Sequence, residues 1–545
     1  MGLSVGQTLS QAVIKRGTMK APKRIDLDLD QVDALLKRVE TGTLDAGDYE
    51  IIKAMVETIH LLSQSVDAKA TSIRRLLRML FGAGTEKLEN VIKDHKDTSS
   101  KSTDQNGKPK PKGHGRNAAA EYTGAEKVNI PHESLKPGDH CPECLKGKVY
   151  LMKVPATVVR ITGKAPLQAT VYQMERLRCN LCGEIFKAKV PAGIGEEKYD
   201  AASGAMIALL KYGSGLPFNR IEQLQGSLGV PLAASTQWEI VDDAANKVFW
   251  AWQELVRQAA QGSVLYNYDT TVKILALIKE QMAGDSDSSR TGIFTSAILS
   301  VVEDKKIALF FTGRNHAGEN LADVLAERQS GLDPPIQMCD ALSRNLPKDF
   351  LTLLANCLVH ARRHFVDVLA SFPEQCQFVI ETLAKVYKND QMTKNQNMSN
   401  DDRLVYHQTH SGPLMQTLEN WLDDQLNEKK AEPNSGLGKA IAYMQNHWQA
   451  LTLFLRVPGA PLDNNLCEQV LKRAILHRKN SLFYKTQRGA FVGDLFMSLI
   501  HTCGLVKVNP FDYLIALQEH GSLVRKNPQY WMPWNYTNAL PESDD

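Results

Sequence analysis

The stretch Leu462–Phe483, LDNNLCEQVLKRAILHRKNSLF, carries a strong periodic pattern. At 3.6 residues per turn, Leu466, Cys467, Val470, Leu471, Ala474 and Ile475 share one face, while Gln469, Lys472 and Arg473 lie on the other. The pattern predicts a helix that opens on Asp463-Asn464-Asn465, short side chains that accept from free N–H groups, and runs to about Leu476. Glu468 falls at the seam, where a carboxylate can lie along the surface the helix packs against. His477-Arg478-Lys479-Asn480 follow as a cluster suited to phosphates. The same pattern is also that of an amphipathic helix with a solvated basic end.

Other periodicities divide the rest of the chain. In an N-terminal region, 1–93, Ile52, Ile59, Val66, Ile73 and Leu80 recur every seven residues, with Met55, Leu62 and Leu76 in the second seam row. Sustained heptads predict a coiled-coil dimerisation helix, with a helix packed on its own protein as the alternative. Residues 94–125 are polar and predict a flexible basic linker carrying Lys108, Lys110, Lys112 and Arg116. Residues 126–195 contain strand-like runs at Lys148–Ile161 and Ala169–Arg178.

Residues 196–262 read as helix throughout. One helix ends near Gly229, Val230-Pro231-Leu232 make a turn, and a second helix starts near Ser235, with Thr236 and Glu239 spaced as a capping box. That is a helix-turn-helix layout, but residues 235–245 contain no arginine, so a purely structural helical hairpin stays open. Over 263–371 the runs Val264–Leu277, Gly292–Val302, Lys305–Gly313 and Ile336–Leu342 predict strands, with a helix at Gly318–Arg328. Leu354–His360 then leads into a helix with Arg362, Arg363 and His364, completing a mixed-direction α/β sheet. A helical insertion occupies 372–457, the Glu468 helix returns within 458–503, and a Trp-rich segment, 504–545, ends the chain.

At 545 residues the chain exceeds a single core. Hydrophobic content of 43% and charged content of 23% describe an ordinary soluble protein. The net charge of +3 means that an anionic partner must be met by local patches. No apolar run is long enough for a transmembrane helix, and the N-terminus lacks the apolar core of a signal peptide. Of nine cysteines, four form Cys141-Pro-Glu-Cys144 and Cys179-Asn-Leu-Cys182. Without an export signal these point to a reducing compartment and to a zinc ribbon, four thiolates about 2.3 Å from a structural Zn²⁺, rather than to unliganded cysteines.

Asp269, in Tyr266-Asn-Tyr-Asp-Thr-Thr, and Asp340, in Ile336-Gln-Met-Cys-Asp, interrupt apolar strands. A buried aspartate is costly unless it is paired, hydrogen-bonded or bound to a cation. With Glu468 they make three carboxylates that one sheet can bring together, and hard oxygen ligands suit Mg²⁺ or Mn²⁺. Strand-end aspartates are also common in purely structural roles.

Several ordered motifs resemble the DDE transposases of the insertion sequence 66 family. They are Leu80-Phe-Gly-Ala-Gly-Thr-Glu-Lys-Leu88, the Cys141–Cys182 ribbon, Leu216-Pro-Phe-Asn-Arg220, Asp269-Thr-Thr-Val-Lys273 and Cys357-Leu-Val-His-Ala-Arg-Arg363. Leu437-Gly-Lys-Ala-Ile-Ala-Tyr443, Asp463-Asn-Asn-Leu-Cys-Glu468, Arg478-Lys-Asn-Ser-Leu-Phe483 and Pro510-Phe-Asp-Tyr-Leu514 continue the series. Thr270, Gln469 and Cys-Asp340-Ala-Leu depart from the family pattern. The resemblance implies an RNase H-like core with a helical insertion. It implies that Asp269, Asp340 and Glu468 hold two Mg²⁺ for DNA cleavage and strand transfer. His360, Arg362, Arg363, Arg473, Arg478, Lys479 and Asn480 are then expected on DNA phosphates. The partners implied are transposon ends and target DNA in double-stranded form, a second copy or higher oligomer of the chain, and small accessory transposition proteins. The place implied is the bacterial cytoplasm, at the nucleoid. The competing reading is a catalytically inactive DNA-binding relic of a transposase.

Overall fold

The computed structural model describes residues 29–45, 47–52, 55, 130–131, 134–140, 142, 144, 146–152, 165–178, 185–189, 197–283 and 290–541. The heptad positions from Ile59 to Leu80, the 94–125 linker, and Cys141, Cys179 and Cys182 lie outside the described residues. The chain forms two compact units. The smaller comprises the first 100 residues with His360–Gln396 and Thr409–Asn446; the larger comprises Lys101–Val359, Asn397–Gln408 and His447–Asp545.

In the larger unit β1 (Arg176–Arg178) and β2 (Ile185–Lys187) form a small antiparallel hairpin. The main sheet has five strands: β3 (Val264–Thr271), β4 (Phe294–Val302), β5 (Lys305–Gly313), β6 (Ile336–Cys339) and β7 (Leu353–Asn356). Their order is β5-β4-β3-β6-β7. The first three strands run antiparallel, whereas β3, β6 and β7 run parallel. Apolar residues run consecutively at Ala297–Leu299 in β4 and Ile307–Phe311 in β5, with Thr295, Ser296 and Ser300 buried among them, because helices cover the sheet and no alternation with exposed polar residues is required. This mixed sheet is consistent with the RNase H-like core that the resemblance implies.

Helices α2 (Ala201–Ala208), α3 (Phe218–Ser227) and α4 (Ala234–Ala259) precede the sheet, and α5 (Leu275–Ala283) and α6 (Ala317–Leu325) connect its strands. After β7 come α7 (Leu358–Val368), α8 (Pro373–Asn395), α9 (Asn400–His410), α10 (Gly412–Asn427), α11 (Gly436–Asn446) and α12 (Trp448–Leu451). Then follow α13 (Asn465–Ser481), α14 (Gln487–Leu505), α15 (Pro510–Glu519) and α16 (Gly521–Lys526). N-terminal to all of these, the smaller unit carries α1 (Leu29–Thr41). Within that unit α8 packs on α10 through Phe378 and Trp421, whose rings lie 5.0 Å apart.

The exposed edge of β5 is closed by α14. Asp494, Ser498 and Thr502 stand four residues apart and accept from the N–H groups of Thr312, Phe310 and Ala308, which stand two apart. Four helical residues advance about 6 Å and two strand residues about 6.7 Å, so one helix face can follow one strand edge. Pairing these N–H groups removes an aggregation-prone edge.

Two expectations change, and the helix-turn-helix reading keeps its layout. The strand read as Val264–Leu277 stops at Thr271, because Leu275 and Ala276 donate to the carbonyls of Tyr484 and Lys485 and begin α5. Thr236 lies inside α4, which starts at Ala234, so it caps nothing. The helix–turn–helix layout exists as α3 and α4, but α4 buries Val241, Ala244, Ala245, Val248, Ala251 and Leu255 against the sheet and C-terminal helices. Lys247, the first basic residue of α4, is paired with Asp243 at 2.9 Å, which favours the structural helical hairpin.

Candidate active site

The central strand β3 supplies Asp269, whose side chain is only 3% exposed. Its Oδ2 lies 3.0 Å from His316 Nδ1, and its Oδ1 lies 3.4 Å from Arg344 Nη2. Asp340 directly follows β6. Tyr266 pairs with Met338, so continuing the parallel register puts Asp340 beside Tyr268, one residue before Asp269. A short turn, Ser343–Asn345, then ties the two carboxylates together. Arg344 reaches Asp269, and Asn345 donates through Nδ2 to Asp340 Oδ1. The Leu342 N–H also approaches Asp340 Oδ1, at 3.4 Å.

A buried carboxamide network supports this turn. Asn267 and Gln337, on the adjacent strands β3 and β6, each donate to the Asn345 carbonyl at 2.7 Å. Gln337 also donates to Asn267 Oδ1 at 3.1 Å and accepts from Thr352 at 3.0 Å. These polar side chains are tolerated inside the sheet because they satisfy each other.

Helix α13 lies across β3 and β4. Asn464, fully buried at its N-terminus, donates from its backbone to Cys357 Sγ at 3.3 Å and through Nδ2 to the Asn267 carbonyl at 3.2 Å. Its side chain therefore holds the helix to β3 and does not cap it, contrary to the sequence expectation. Asp463 Oδ1 instead accepts from Asn465 N–H at 3.0 Å. Cys467 donates to the Ala297 carbonyl at 3.4 Å, which holds this turn of the helix against β4, and the neighbouring Glu468 is half-buried. The far end is fixed by Arg478, which donates to Thr270 Oγ1 at 2.9 Å and to the Thr271 carbonyl.

The donor chemistry is that of hard oxygen. Besides the carboxylates, Asn345 Oδ1, Asn356 Oδ1 and Asn464 Oδ1 are buried without a hydrogen-bond partner. Burial pushes the Cys339 and Cys467 thiols well up, so they are neutral rather than thiolate ligands or nucleophiles at neutral pH. Among the described residues, no three His, Cys, Asp or Glu side chains are grouped closely enough to hold one ion.

Beside Asp269 opens a cavity of about 330 Å³, lined by Arg290, Thr291, Gly292, Phe294, Arg314 and His316. Arg314 donates to the Arg290 carbonyl at 2.6 Å, and Arg290 pairs with Glu319 at 2.7 Å. Glu319 also accepts from the His316 N–H at 2.9 Å, fixing the start of α6.

Of the residues expected on DNA, Arg473 and Lys479 are exposed on α13, and Asn480 is half-buried against Gly215. Helix α13 continues to Ser481 instead of stopping near Leu476, since nothing in His477–Asn480 breaks it and cations suit a helix C-terminus. His477 is thereby turned inward, between the rings of Tyr212 and Tyr484, and is not a phosphate contact. His360, Arg362 and Arg363 lie on α7 in the smaller unit.

His316, Arg344, Asn345 and Asn464 in its tethering role were missed by the sequence reading. A signal for His316 existed in its spacing from Glu319, the separation of a capping pair. Arg344 and Asn345 sit in a short loop with no periodicity to mark them.

Comparison with known proteins identifies the family. The family described as transposase IS66 family matches residues 198–491, more than half of the chain. Three similar proteins come from Sinorhizobium fredii, each described only as uncharacterized. The protein y4jD is 35% identical over 188 residues, covering 34% of this chain and 36% of its own length. The protein y4hP is 24% identical over 421 residues, covering 71% and 72%, and y4qI is 22% identical over 350 residues, covering 61% and 62%. The family match takes in Asp269, Asp340 and Glu468 together with the strands and helix that carry them. The chain belongs to the IS66 family of transposases.

Proposed function

We propose that the chain is a DDE transposase that cuts and rejoins DNA at the ends of an insertion sequence, with Asp269, Asp340 and Glu468 as ligands of two Mg²⁺ or Mn²⁺ ions. The observation that carries this reading is the coupling of Asp269 and Asp340 through Arg344 and Asn345, with the Glu468 helix tethered to the same strand. Bound there, the ions supply Lewis-acid activation of the attacking oxygen and neutralise charge on the leaving one.

The chain's own residues do the rest. Arg344 pairs with Asp269 at 3.4 Å; were a cation held there instead, the guanidinium would be free to contact a phosphate. His316 holds Asp269 by its second oxygen and fixes the carboxylate's orientation. Water attack on the phosphodiester breaks its P–O3′ bond, leaving a 3′-hydroxyl and a 5′-phosphate. That hydroxyl then attacks a target phosphodiester. Arg290 and Arg314 face the flanking phosphates from the neighbouring cavity, with Arg473, Lys479 and Asn480 on the α13 side.

The four cysteines are proposed as a structural zinc ribbon. An antiparallel bridge, His140 to Lys148, brackets the first pair, and the β1–β2 hairpin brackets the second. The Gly147 N–H donates to Cys144 Sγ at 3.4 Å, the kind of bond that stabilises a thiolate. The heptad segment, 52–80, is proposed to pair protomers across two DNA ends.

The deciding experiment mixes purified protein, Mg²⁺ and labelled DNA carrying the element's own ends, beside Glu468→Gln. End-specific nicking and strand joining are expected for the parent and lost in the variant. Binding without cleavage by both proteins supports the inactive relic instead.

A further inference from the structure

We propose that Leu482 and Phe483 form an apolar wedge that inserts between base pairs of duplex DNA beside the cleavage site. This rests on the reading of the chain as a DNA-cleaving transposase. Leu482 ends α13 at φ 67° and ψ −41°, and the Phe483 N–H donates to the Ser481 carbonyl at 2.8 Å. That is a γ-turn with positive φ at its centre, a rare and strained conformation, and here a leucine rather than glycine adopts it.

The strain is not offset by burying the side chains it points outward. Leu482 is 65% exposed and Phe483 44% exposed. The backbone around them is nevertheless firmly held. The Leu482 N–H donates to the Arg478 carbonyl at 2.8 Å, the Tyr484 N–H to the Lys273 carbonyl at 2.9 Å, and the Leu275 N–H to the Tyr484 carbonyl at 2.9 Å. Tyr484 is itself buried and stacked on His477. The apolar pair is thus presented on a rigid mount, and strained backbone held this way is characteristic of functional sites.

The surroundings name the occupant. Residues 472–489 contain Lys472, Arg473, Arg478, Lys479, Lys485 and Arg488 and no carboxylate; Arg488 is paired with Asp242 of α4 at 2.7 Å and Arg478 is bonded to β3, so the cationic surround rests on the lysines and Arg473. Lys479 and Lys485 are exposed on either side of the turn, and Lys273 is exposed on the loop it bonds to. A protein surface that is apolar at its tip and cationic around it is complementary to a polyanion with a stacked apolar interior. Duplex DNA has both properties, and Leu and Phe are among the side chains that unstack base steps. The turn also lies close to the proposed chemistry. Arg478, one helical turn before Leu482, is bonded to Thr270 and Thr271, which follow Asp269 on β3.

A wedge prefers DNA whose bases are already partly unstacked, because the cost of opening is lower. The test uses the full-length protein in EDTA, so cleavage plays no part. A labelled 30-base-pair duplex is compared with the same duplex carrying one mismatch flanked by 2-aminopurine. The parent is expected to bind the mismatched duplex about tenfold more tightly and to raise the 2-aminopurine fluorescence. Leu482→Gly and Phe483→Ala should each lose both effects while binding the paired duplex within about twofold of the parent. Leu482→Gly also relieves the turn, so its melting temperature should not fall, which separates a lost wedge from a lost fold.

Equal affinity of the parent for the two duplexes overturns the proposal, as does a mismatch preference that survives both substitutions. Loss of self-association in Leu482→Gly without change in DNA binding would assign the pair to a second copy of the chain and also overturn it. A preference present in a protein that never cleaves DNA leaves the wedge standing and removes the transposase reading. Cleavage without the preference does the reverse.

Discussion

Two helices of the larger unit are bonded to strands through polar side chains, and the two junctions differ in what they leave over. At the β5 edge, α14 presents Asp494, Ser498 and Thr502, and each finds a strand N–H. Asp494 additionally accepts from Thr312 Oγ1 at 2.6 Å, and Ser498 and Thr502 donate their hydroxyl protons to carbonyls. At the centre of the sheet α13 is tied to β3 at both ends, by Asn464 and Arg478, but the Asn464 side-chain oxygen is buried with no partner. Asn345 and Asn356 repeat the pattern, each with a buried oxygen that nothing satisfies. An unmet buried acceptor costs about 1–3 kcal/mol. His501 Nε2, on α14 against Phe310, is also buried without a partner, so the contrast rests on where the unmet oxygens lie: Asn345 is bonded to Asp340, and Asn464 to the strand that carries Asp269. The satisfied junction reads as architecture, and the unsatisfied one as a place prepared for a ligand.

The contrast predicts that damage at α13 costs activity and damage at α14 costs stability. The largest expected effect is at Asp269. Asp269→Asn should lower Mg²⁺-dependent cleavage by about 10³-fold, while stability to urea changes by less than about 1 kcal/mol. A large loss of stability with unchanged cleavage per folded molecule would put Asp269 in the architectural class.

Asp494→Ala is the mirror experiment. It strands the Thr312 N–H and leaves a cavity beside it, so unfolding in urea should become easier by about 3 kcal/mol. Cleavage per folded molecule should hold. Asn464→Ala is intermediate. It removes one bond to β3 and one unmet oxygen, so stability should shift by no more than about 1 kcal/mol. Cleavage should nonetheless fall about 10- to 100-fold, as when a residue that orients a metal ligand is lost. If Asn464→Ala matches Asp494→Ala in both readouts, the distinction between the junctions fails.

Much of this was legible in the residues. Lys305–Gly313 reads as a strand and is one, because a run of Ile, Leu and Phe has few other uses at that length. The α13 face could be drawn from periodicity: Cys467, Val470, Leu471 and Ala474 are buried, whereas Leu466 and Ile475 are half-buried and His477, read with the basic cluster, is buried as well. Its end could not, because the basic cluster that looked like a boundary is compatible with a helix C-terminus. The carboxamide network escaped for another reason. Asn267 and Gln337 are 70 positions apart, and only the parallel pairing of β3 and β6 makes them partners. His316 and Arg344 likewise reach Asp269 from loops whose positions depend on the completed sheet.

The smallest effect concerns protons. Burial pushes Asp494 up to about 7, against the opposing pull of its two bonds from Thr312. A carboxyl raised in the folded state holds its proton where the unfolded chain has already released it. Its contribution to stability is therefore complete below about pH 4 and is lost as pH rises toward 7, with a slope of at most about 1.4 kcal/mol per pH unit. Buried His477 and His501 are pushed down to about 3 and about 4, mainly by loss of solvent. They act in the opposite sense, favouring the fold above their ordinary range and withdrawing support as pH falls. The parent's profile thus sums opposing slopes, and its shape alone assigns nothing. Asp494→Asn removes one of them, since a carboxamide cannot ionise. The difference in urea stability between parent and Asp494→Asn should decline by a few kcal/mol from pH 4 to 7 and level off above it. Tyr212 and Tyr484 sense the Asp494 charge but are pushed above their ordinary range, so they stay neutral throughout this window. A flat difference would mean that Asp494 stays ionised in the fold, held by Thr312, and that the β5 edge carries a buried charge of its own.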